Sequence, residues 1–241
     1  MKKAKSIAFW VLGIGALIFM LAFENISEST TLVRDVHIEL SQPEHQLFLN
    51  NEDIKNIISK TDDSLLLKSI RAINTTLLEE SLENHPFVAE AEVFSTLDGL
   101  ISVHVKQKLA FARILNRNEH YYIDAKGHPF PYSKNFSAKV PVFTGNTDST
   151  QVQSAFRLMK EINSVDYFDH WLAEIHITKS NEFELIPVRG KHRVIFGDTT
   201  DCNAKLAKLE AFYKTAVSQE NLNEWKTLNV AFNNLLVSTK H

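Results

Sequence analysis

The side chains best able to do chemistry in this sequence of 241 residues are ten histidines and one cysteine. Catalytic zinc sites need such ligands at short fixed spacings, and the sequence has neither an H-x-x-x-H pair nor an HExxH motif. We therefore expect histidines that are exposed or lie on edge strands, and no metal site. They are scattered along the chain: His37, His45, His85, His104, His120, His128, His170, His176, His192 and His241.

Motifs for other common chemistries are missing as well. There is no G-x-S-x-G turn, no phosphate-binding loop and no dinucleotide turn, and seven glycines leave little material for such loops. Cys202, the lone cysteine, lies among polar residues, and we interpret it as incidental. The sequence predicts a protein that is not an enzyme and has no cofactor or small-molecule substrate. A net charge of −3 also argues against nucleic acid as a partner.

The most distinctive stretch is apolar rather than chemical. Residues 7–23 read IAFWVLGIGALIFMLAF without a charge, and about 1.5 Å per residue gives roughly 25 Å, the short end of a bilayer span. A buried core helix and a cleaved signal peptide are the alternatives, but no small-residue cleavage pattern follows the run. We predict an uncleaved signal anchor. Its residues include Ile7, Trp10, Leu12, Ile14, Leu17, Phe19, Leu21 and Phe23.

The charges on either side of this run predict its orientation. Lys2, Lys3 and Lys5 precede it, whereas the first basic residue after it is Arg34. Because positive charge stays on the cytoplasmic side, the N-terminus is expected in the cytoplasm and the rest of the chain across the membrane. The pattern predicts a single-pass protein of type II topology.

The apolar periodicity after the anchor predicts a small domain that begins strand–helix–helix. Residues 32–40 alternate as a strand, and Asn50 or Asn51 can cap a short helix. A second helix is predicted to start at a capping box formed by Thr76 and Glu79.

A hairpin over residues 85–107 completes this domain. A three-residue loop ending at Gly99 places Val93 opposite Val103, so that the apolar residues of both strands share one face. The same loop puts Gly99 at a left-handed position, where the missing Cβ avoids strain. We predict this register.

The remainder of the chain predicts a second, mostly β region with two helices. The predicted elements are a strand ending in an Asp-to-Gly turn at 121–127, a helix at about 150–164, a hairpin at 184–197, a helix at 204–217 and a closing strand at 227–238. Each helix is predicted to bury one apolar stripe: Val152, Phe156, Met159 and Ile162 in the first, and Leu206, Leu209 and Phe212 in the second. A two-residue loop in the hairpin would place Leu185 opposite Val194 and Phe183 opposite Phe196.

This order of elements behind an N-terminal anchor resembles the bacterial cell-division family FtsQ/DivIB. The segments that are similar to family motifs are HPFVAEAEV at 85–93, VHVKQKLAFA at 103–112, YYIDAKG at 121–127 and VPVFTG at 140–145. The resemblance implies an α+β fold in which the first domain is of the POTRA type. The implied segments are a cytoplasmic N-terminus at 1–6, an anchor at 7–23, a linker at 24–31, a POTRA-like domain at 32–108 and an FtsQ-like β domain at 109–241.

The resemblance also implies a function. Members are non-enzymatic scaffolds of the division machinery, held in the inner membrane at the septum with most of the chain in the periplasm. Their last strand receives a partner of the FtsB/DivIC type, itself paired with an FtsL-like protein. We predict that strand at 228–237. The expected partner-binding residues are Asn229, Ala231, Phe232, Asn233, Asn234, Leu235 and Leu236.

Three alternatives remain open at this point. The closing strand could be an interior strand whose apolar residues only pack in the core. The protein could be a POTRA-containing receptor or adaptor in envelope protein assembly or secretion, since POTRA-like units occur there too. A generic anchored adaptor is the third alternative.

Overall fold

The structure is a computed structural model that describes residues 13–20, 31–41, 48–116, 119–134, 136–215, 222–233 and 235–241. The chain divides into two compact units, Met1–Lys108 and Leu109–His241. The first unit has a small sheet with helices, and the second has a larger sheet with two long helices. The predicted α+β class is confirmed.

The predicted membrane anchor falls largely outside the described residues. Residues 13–20 are helical, and Ile14, Leu17 and Phe19 in this helix are each more than half exposed. The other anchor residues, Ile7, Trp10, Leu12, Leu21 and Phe23, are not among the described ones. Within the described ranges, no helix has the length and hydropathy that a membrane crossing requires. The anchor stays a prediction.

The first unit follows the predicted order of strand, two helices and two strands. Its elements are β1 (Asp35–Ser41), α1 (Asn51–Thr61), short 3-10 turns at Leu65–Leu67 and Ile70–Ala72, α2 (Thr75–Glu83), β2 (Val88–Ser95) and β3 (Leu100–Gln107). The sheet order is β1-β3-β2, with β1 parallel and β2 antiparallel to β3. Leu78 and Leu82 of α2 join Val93 and Val103 in one core.

The hairpin of β2 and β3 has the predicted register. Val93 lies opposite Val103, and the N–H of Thr96 donates to the carbonyl of Leu100, which leaves a three-residue loop. Gly99 has φ of +96°, and a Cβ there would lie 2.7 Å from the backbone oxygen of Leu32. Glycine is therefore required both by the dihedral angle and by the available space.

The two helix starts differ from each other in how well they were predicted. Asn50 forms a complete capping box with Asp53, as one of the two predicted alternatives has it. The capping box at Thr76 is wrong. Asn74 caps α2 by accepting the N–H of Leu77, which frees the Glu79 carboxylate to accept the N–H of Val93 at 2.8 Å.

The second unit has nine strands and two long helices within its described residues. The elements are β4 (Ala112–Leu115), β5 (His120–Ile123), β6 (Pro129–Pro131), β7 (Val142–Gly145), α3 (Ser149–Asn163), a 3-10 turn (Asp166–Phe168), β8 (Leu172–Ile177), β9 (Phe183–Pro187), β10 (Arg193–Gly197), α4 (Cys202–Thr215), a 3-10 turn (Leu222–Glu224), β11 (Trp225–Asn229) and β12 (Val237–Lys240).

All nine strands form one sheet in the order β12-β11-β10-β9-β8-β7-β4-β5-β6. The core lies between this sheet and the two helices, because Val152, Met159 and Ile162 of α3 and Leu206 and Leu209 of α4 are buried there. The apolar stripes predicted for the helices are thus largely the buried faces, although Phe156 of the first stripe and Phe212 of the second are only half-buried.

The hairpin of β9 and β10 departs from its predicted register at one end. Leu185 lies opposite Val194 as expected, but Phe183 lies opposite Gly197 rather than Phe196. A bulge after Ile195 causes the shift, and Gly197 sits in it with φ of +74°.

The prediction of a single closing strand at 228–237 is wrong. The chain instead forms two antiparallel strands, β11 and β12, in which Asn229 lies opposite Val237. The turn between them begins where the N–H of Val230 donates to Ile195 of β10 at 3.0 Å. That bond holds the chain beside β10, so β12 must come back on the other side of β11.

Candidate partner-binding site

The outer side of β12, here called the open edge, is one of the two margins of the nine-stranded sheet. His241 donates its N–H to Glu224 beside β11 at 3.1 Å, and Asn229 and Thr227 of β11 lie opposite Val237 and Thr239. Because backbone direction alternates along a strand, the N–H groups of Val237 and Thr239 face β11. The N–H groups of Ser238 and Lys240 face outward, where the carbonyl oxygens of a further strand could accept hydrogen bonds from them.

The opposite margin, the outer side of β6, is here called the proline edge. Pro129 and Pro131 flank Phe130, which lies opposite Tyr122 of β5. Since proline has no N–H, the bonds from β6 to β5 depend on Phe130, and both positions that face outward lack a donor. Strand addition is disfavoured at this margin for a chemical reason.

The turn from β11 to β12 is held by bonds from two directions. The side chain of Asn229 accepts the N–H of Ala231 at 3.0 Å, a local Asx-type turn. The ammonium of Lys208, on α4, donates to the carbonyl oxygens of Val230 at 2.9 Å, of Phe232, and of Asn233 at 3.5 Å. A cation that satisfies several carbonyls gives the turn a defined shape.

The bulge of β10 lies against the same turn. A Cβ on Gly197 would lie 3.0 Å from the Cβ of Ala231, so glycine lets the two segments approach. Beside it, buried Lys205 donates to the carboxylate of Asp198 at 2.8 Å and to its carbonyl oxygen at 2.9 Å. This hydrogen bond holds the pKa of Asp198 at about 2, below the usual 3.8.

Apolar side chains gather around the turn and the open edge. Phe232 is 52% exposed, Leu235 53% and Val237 40%. Three large exposed apolar side chains within six residues are unusual on a soluble surface and typical of an interaction site. Leu236 is only half-buried and packs against the core of the unit.

The structure separates the predicted partner-binding residues. Asn229 belongs to β11, which has a neighbouring strand on each side, so its backbone cannot lie on a margin. Ala231, Phe232 and Asn233 belong to the turn, and Asn234 lies outside the described residues. Leu235 and Leu236 lead into β12.

Five residues outside the predicted set complete this site. Ser238, Thr239 and Lys240 form the open edge together with Val237, and Lys208 holds the turn. The adjacent Asn233 and Asn234 are a turn signal that could have divided the closing strand in two. No comparable signal marks Lys208, because it acts from another element.

No group of three or more potential ligands among the described residues is placed to hold a metal ion. Burial raises the pKa of the Cys202 thiol to about 11, which keeps it protonated and unreactive at neutral pH. His192 is buried against Tyr213, with its Nε2 atom 2.6 Å from the phenol oxygen, and burial lowers its pKa.

Two family models match the chain. One, described as FtsQ/DivIB, C-terminal related, matches residues 110–239, and the other, described as a POTRA-like domain, matches residues 31–106. A comparison with curated proteins found no match. Both matched domains are scaffold types rather than catalytic ones, and together they point to a scaffold role in cell division. The order and extent of the two matches are those of the FtsQ/DivIB architecture, and the chain belongs to the FtsQ/DivIB-related family.

Proposed function

We propose that this protein is a non-enzymatic scaffold of the bacterial division machinery that binds a partner by strand addition at the open edge. The observation that carries the proposal is the contrast between the margins of its large sheet. One margin has outward N–H groups at Ser238 and Lys240 beside exposed apolar residues, and the other has prolines. A partner segment that continues the sheet would pair with the first and find no donor on the second.

The partner that fits is an FtsB/DivIC-like membrane protein, itself paired with an FtsL-like protein. Its extended segment would bond to the backbone of β12, and its apolar side chains would cover Phe232, Leu235 and Val237. The predicted residues keep a role in this arrangement, since Asn229 shapes the turn and Phe232 provides contact area. Lys208 preorganises the turn, which lowers the ordering cost of binding.

We also propose a location for the protein. The protein is anchored in the inner membrane by residues 7–23, with a cytoplasmic N-terminus and most of its chain in the periplasm at the septum. The helix at residues 13–20 supports this, because its apolar side chains Ile14 and Leu17 are each more than half exposed. A fluorescent protein that matures only in the cytoplasm, fused after His241, should stay dark; a bright intact fusion would contradict the topology.

Strand addition is tested by a substitution that removes one outward N–H and leaves the ladder to β11 intact. Ser238→Pro does this, and Ser238→Ala is the matched control that keeps the N–H group. We expect proline to weaken binding of the soluble part of the FtsB/DivIC-like protein by at least about tenfold. Proline lacks the N–H donor, and its ring stands where the added strand would approach.

The control should bind as the parent does. Thermal melting of both variants, read by circular dichroism, establishes that the fold is unchanged. Equal affinity of Ser238→Pro and the parent would place the interface elsewhere on the protein.

A further inference from the structure

Four strongly exposed leucines lie at one end of the first unit. Leu32 is 56% exposed, Leu66 55%, Leu67 81% and Leu97 74%. We call these four residues the leucine cluster. They come from three separate segments of the chain, so no local pattern in the sequence indicates that they form a group.

Backbone contacts bring the three segments together. Leu32 forms a bridge with Ser69, and Val33 donates its N–H to Lys68 at 3.0 Å, which fixes the residues after Leu67 beside the start of the chain. Arg34 donates its N–H to Gly99 at 2.8 Å. The loop that carries Leu97 therefore lies against the same stretch, on its other side.

The leucines have no role in the core of the unit. Leu65 precedes Leu66 and is buried, so it anchors the 3-10 turn that presents Leu66 and Leu67. Leu97 occupies the tip of the hairpin loop. Protein surfaces of ordinary composition do not present four leucines at one end, and such a patch marks a surface that meets an apolar phase or a partner.

Charges of both signs lie around the cluster. Lys68 forms an ion pair with Asp62 at 2.7 Å, and Arg34 lies near Asp98, where it helps to lower the pKa of that carboxyl group after the larger effect of a hydrogen bond from Thr96. Asp35, Asp63 and Lys55 lie beside Leu66 and Leu67. Since no single sign of charge covers this surface, apolar contact is its dominant property.

The position of the cluster in the chain indicates what covers it. Leu32 is separated from the helix at residues 13–20 by residues 21–31, and eleven extended residues reach at most about 40 Å. If that helix is part of the membrane anchor, the end of the unit at which the chain enters cannot be farther than this from the bilayer. The strand β1 then runs away from that end toward Ser41.

We propose that the leucine cluster inserts into the surface of the bilayer and docks the first unit on the membrane. The inference rests on the proposed membrane anchor and goes beyond partner binding at the open edge. Four leucines that reach the boundary between headgroups and acyl chains transfer apolar area out of water, as interfacial anchors do. Docking fixes which end of the first unit faces the membrane, and tethering alone does not.

The test uses the full chain in nanodiscs of phosphatidylethanolamine and phosphatidylglycerol. In a Cys202→Ser background, an environment-sensitive fluorophore is placed at Leu67→Cys or Leu97→Cys. The matched control is Ser41→Cys, an exposed position at the far end of β1, about 20 Å away at the rise of a strand. Spin-labelled acyl chains quench dyes in the bilayer surface, and iodide quenches dyes in water.

We expect severalfold stronger quenching by the labelled lipid at residues 67 and 97 than at residue 41, with the opposite order for iodide. Replacing Leu67 and Leu97 by serine should abolish lipid quenching of a dye at Leu66→Cys, whereas replacing both by isoleucine should preserve it. Because apolar contact carries the docking, quenching should change little with salt concentration.

Equal lipid quenching at all three positions would overturn the inference. Protection of residues 67 and 97 from both quenchers would also overturn it, because a protein surface would then be the cover. If the chain does not co-elute with nanodiscs, the proposed anchor is wrong, and the inference that rests on it is overturned as well. A chain that co-elutes but shows no quenching at residue 67 refutes docking alone.

Discussion

The two margins of the nine-stranded sheet differ in what a neighbouring strand would find there. The proline edge has Pro129 and Pro131 at its outward positions, and the open edge has Ser238 and Lys240. Both margins consist of short strands, so strand length does not distinguish them. The chemistry of single backbone atoms does. A sheet can therefore be open to strand addition on one side and protected on the other.

The small sheet of the first unit protects a margin by a different device. On the outer side of β2, Glu79 accepts the N–H of Val93 at 2.8 Å and Glu83 accepts that of Ala91 at 3.4 Å. Here side chains of α2 occupy donors that proline would have removed. Two margins are thus protected, one by prolines and the other by glutamate acceptors. Among the described residues neither device occurs at β12, which favours the open edge as the place for strand addition.

The largest effect is expected where the hairpin that forms the open edge is broken. Thr239→Pro removes an N–H that faces β11 and also the hydroxyl contact between Thr227 and Thr239. We expect a loss of about 3 kcal/mol in the free energy of unfolding of the second unit, from urea denaturation. Ser238→Pro, one residue earlier, should cost much less. Similar losses for the two would show that the outward and inward directions are wrongly assigned.

A smaller loss is expected from the cation that holds the turn. Lys208→Met leaves the carbonyls of Val230 and Phe232 without their donor, which should cost about 2 kcal/mol and speed hydrogen exchange of the turn. Lys208→Arg is the matched control, since it keeps a donor. Partner binding should weaken with methionine and recover with arginine. A turn that exchanges equally slowly in both variants would contradict this role.

The protection of β2 can be removed at modest cost. Glu79→Ala deprives the N–H of Val93 of its acceptor and should lower the stability of the first unit by about 1 kcal/mol. Glu79→Gln, which retains an acceptor oxygen, should be close to the parent. Chemical denaturation followed by circular dichroism measures both. If alanine and glutamine behave alike, the carboxylate is not protecting this margin.

The smallest change in stability is expected for a substitution at the proline edge. The same substitution should nevertheless change self-association clearly. Pro131→Val restores an outward N–H and should change stability by less than about 0.5 kcal/mol, because no bond to β5 is altered. Sedimentation should detect concentration-dependent self-association that is stronger than that of the parent. A variant that remains monomeric at the highest concentration would show that the proline is not what protects this margin.

What could be predicted from the sequence is local. The hairpin of β2 and β3 has alternating apolar residues, a glycine at the one left-handed position and a short loop, so its register follows from neighbours in the chain. The helices of the second unit were predicted within a few residues for the same reason. The fold class and the family follow from the order of such elements.

What could not be predicted depends on residues far apart in the chain. Leu235, Leu236 and Val237 continue the apolar pattern of β11, and only bonds from Lys208 and Ile195 turn the chain at Val230. Glu79 has the spacing of a capping box, but a long-range donor, the N–H of Val93, competes for it. Local patterns located the C-terminal strands, and tertiary contacts decided how they are arranged.

The order of strands has a consequence for when the protein becomes competent to bind. From β7 to β12 each strand lies next to the one made just before it, so this half of the sheet is extended outward in the order of synthesis. The open edge is the last margin to exist, and it forms beside β11 only after α4 has contributed Lys208. A nascent or prematurely terminated chain would lack the surface altogether. The proposed strand addition would therefore be possible only on a sheet whose last strand has been synthesised.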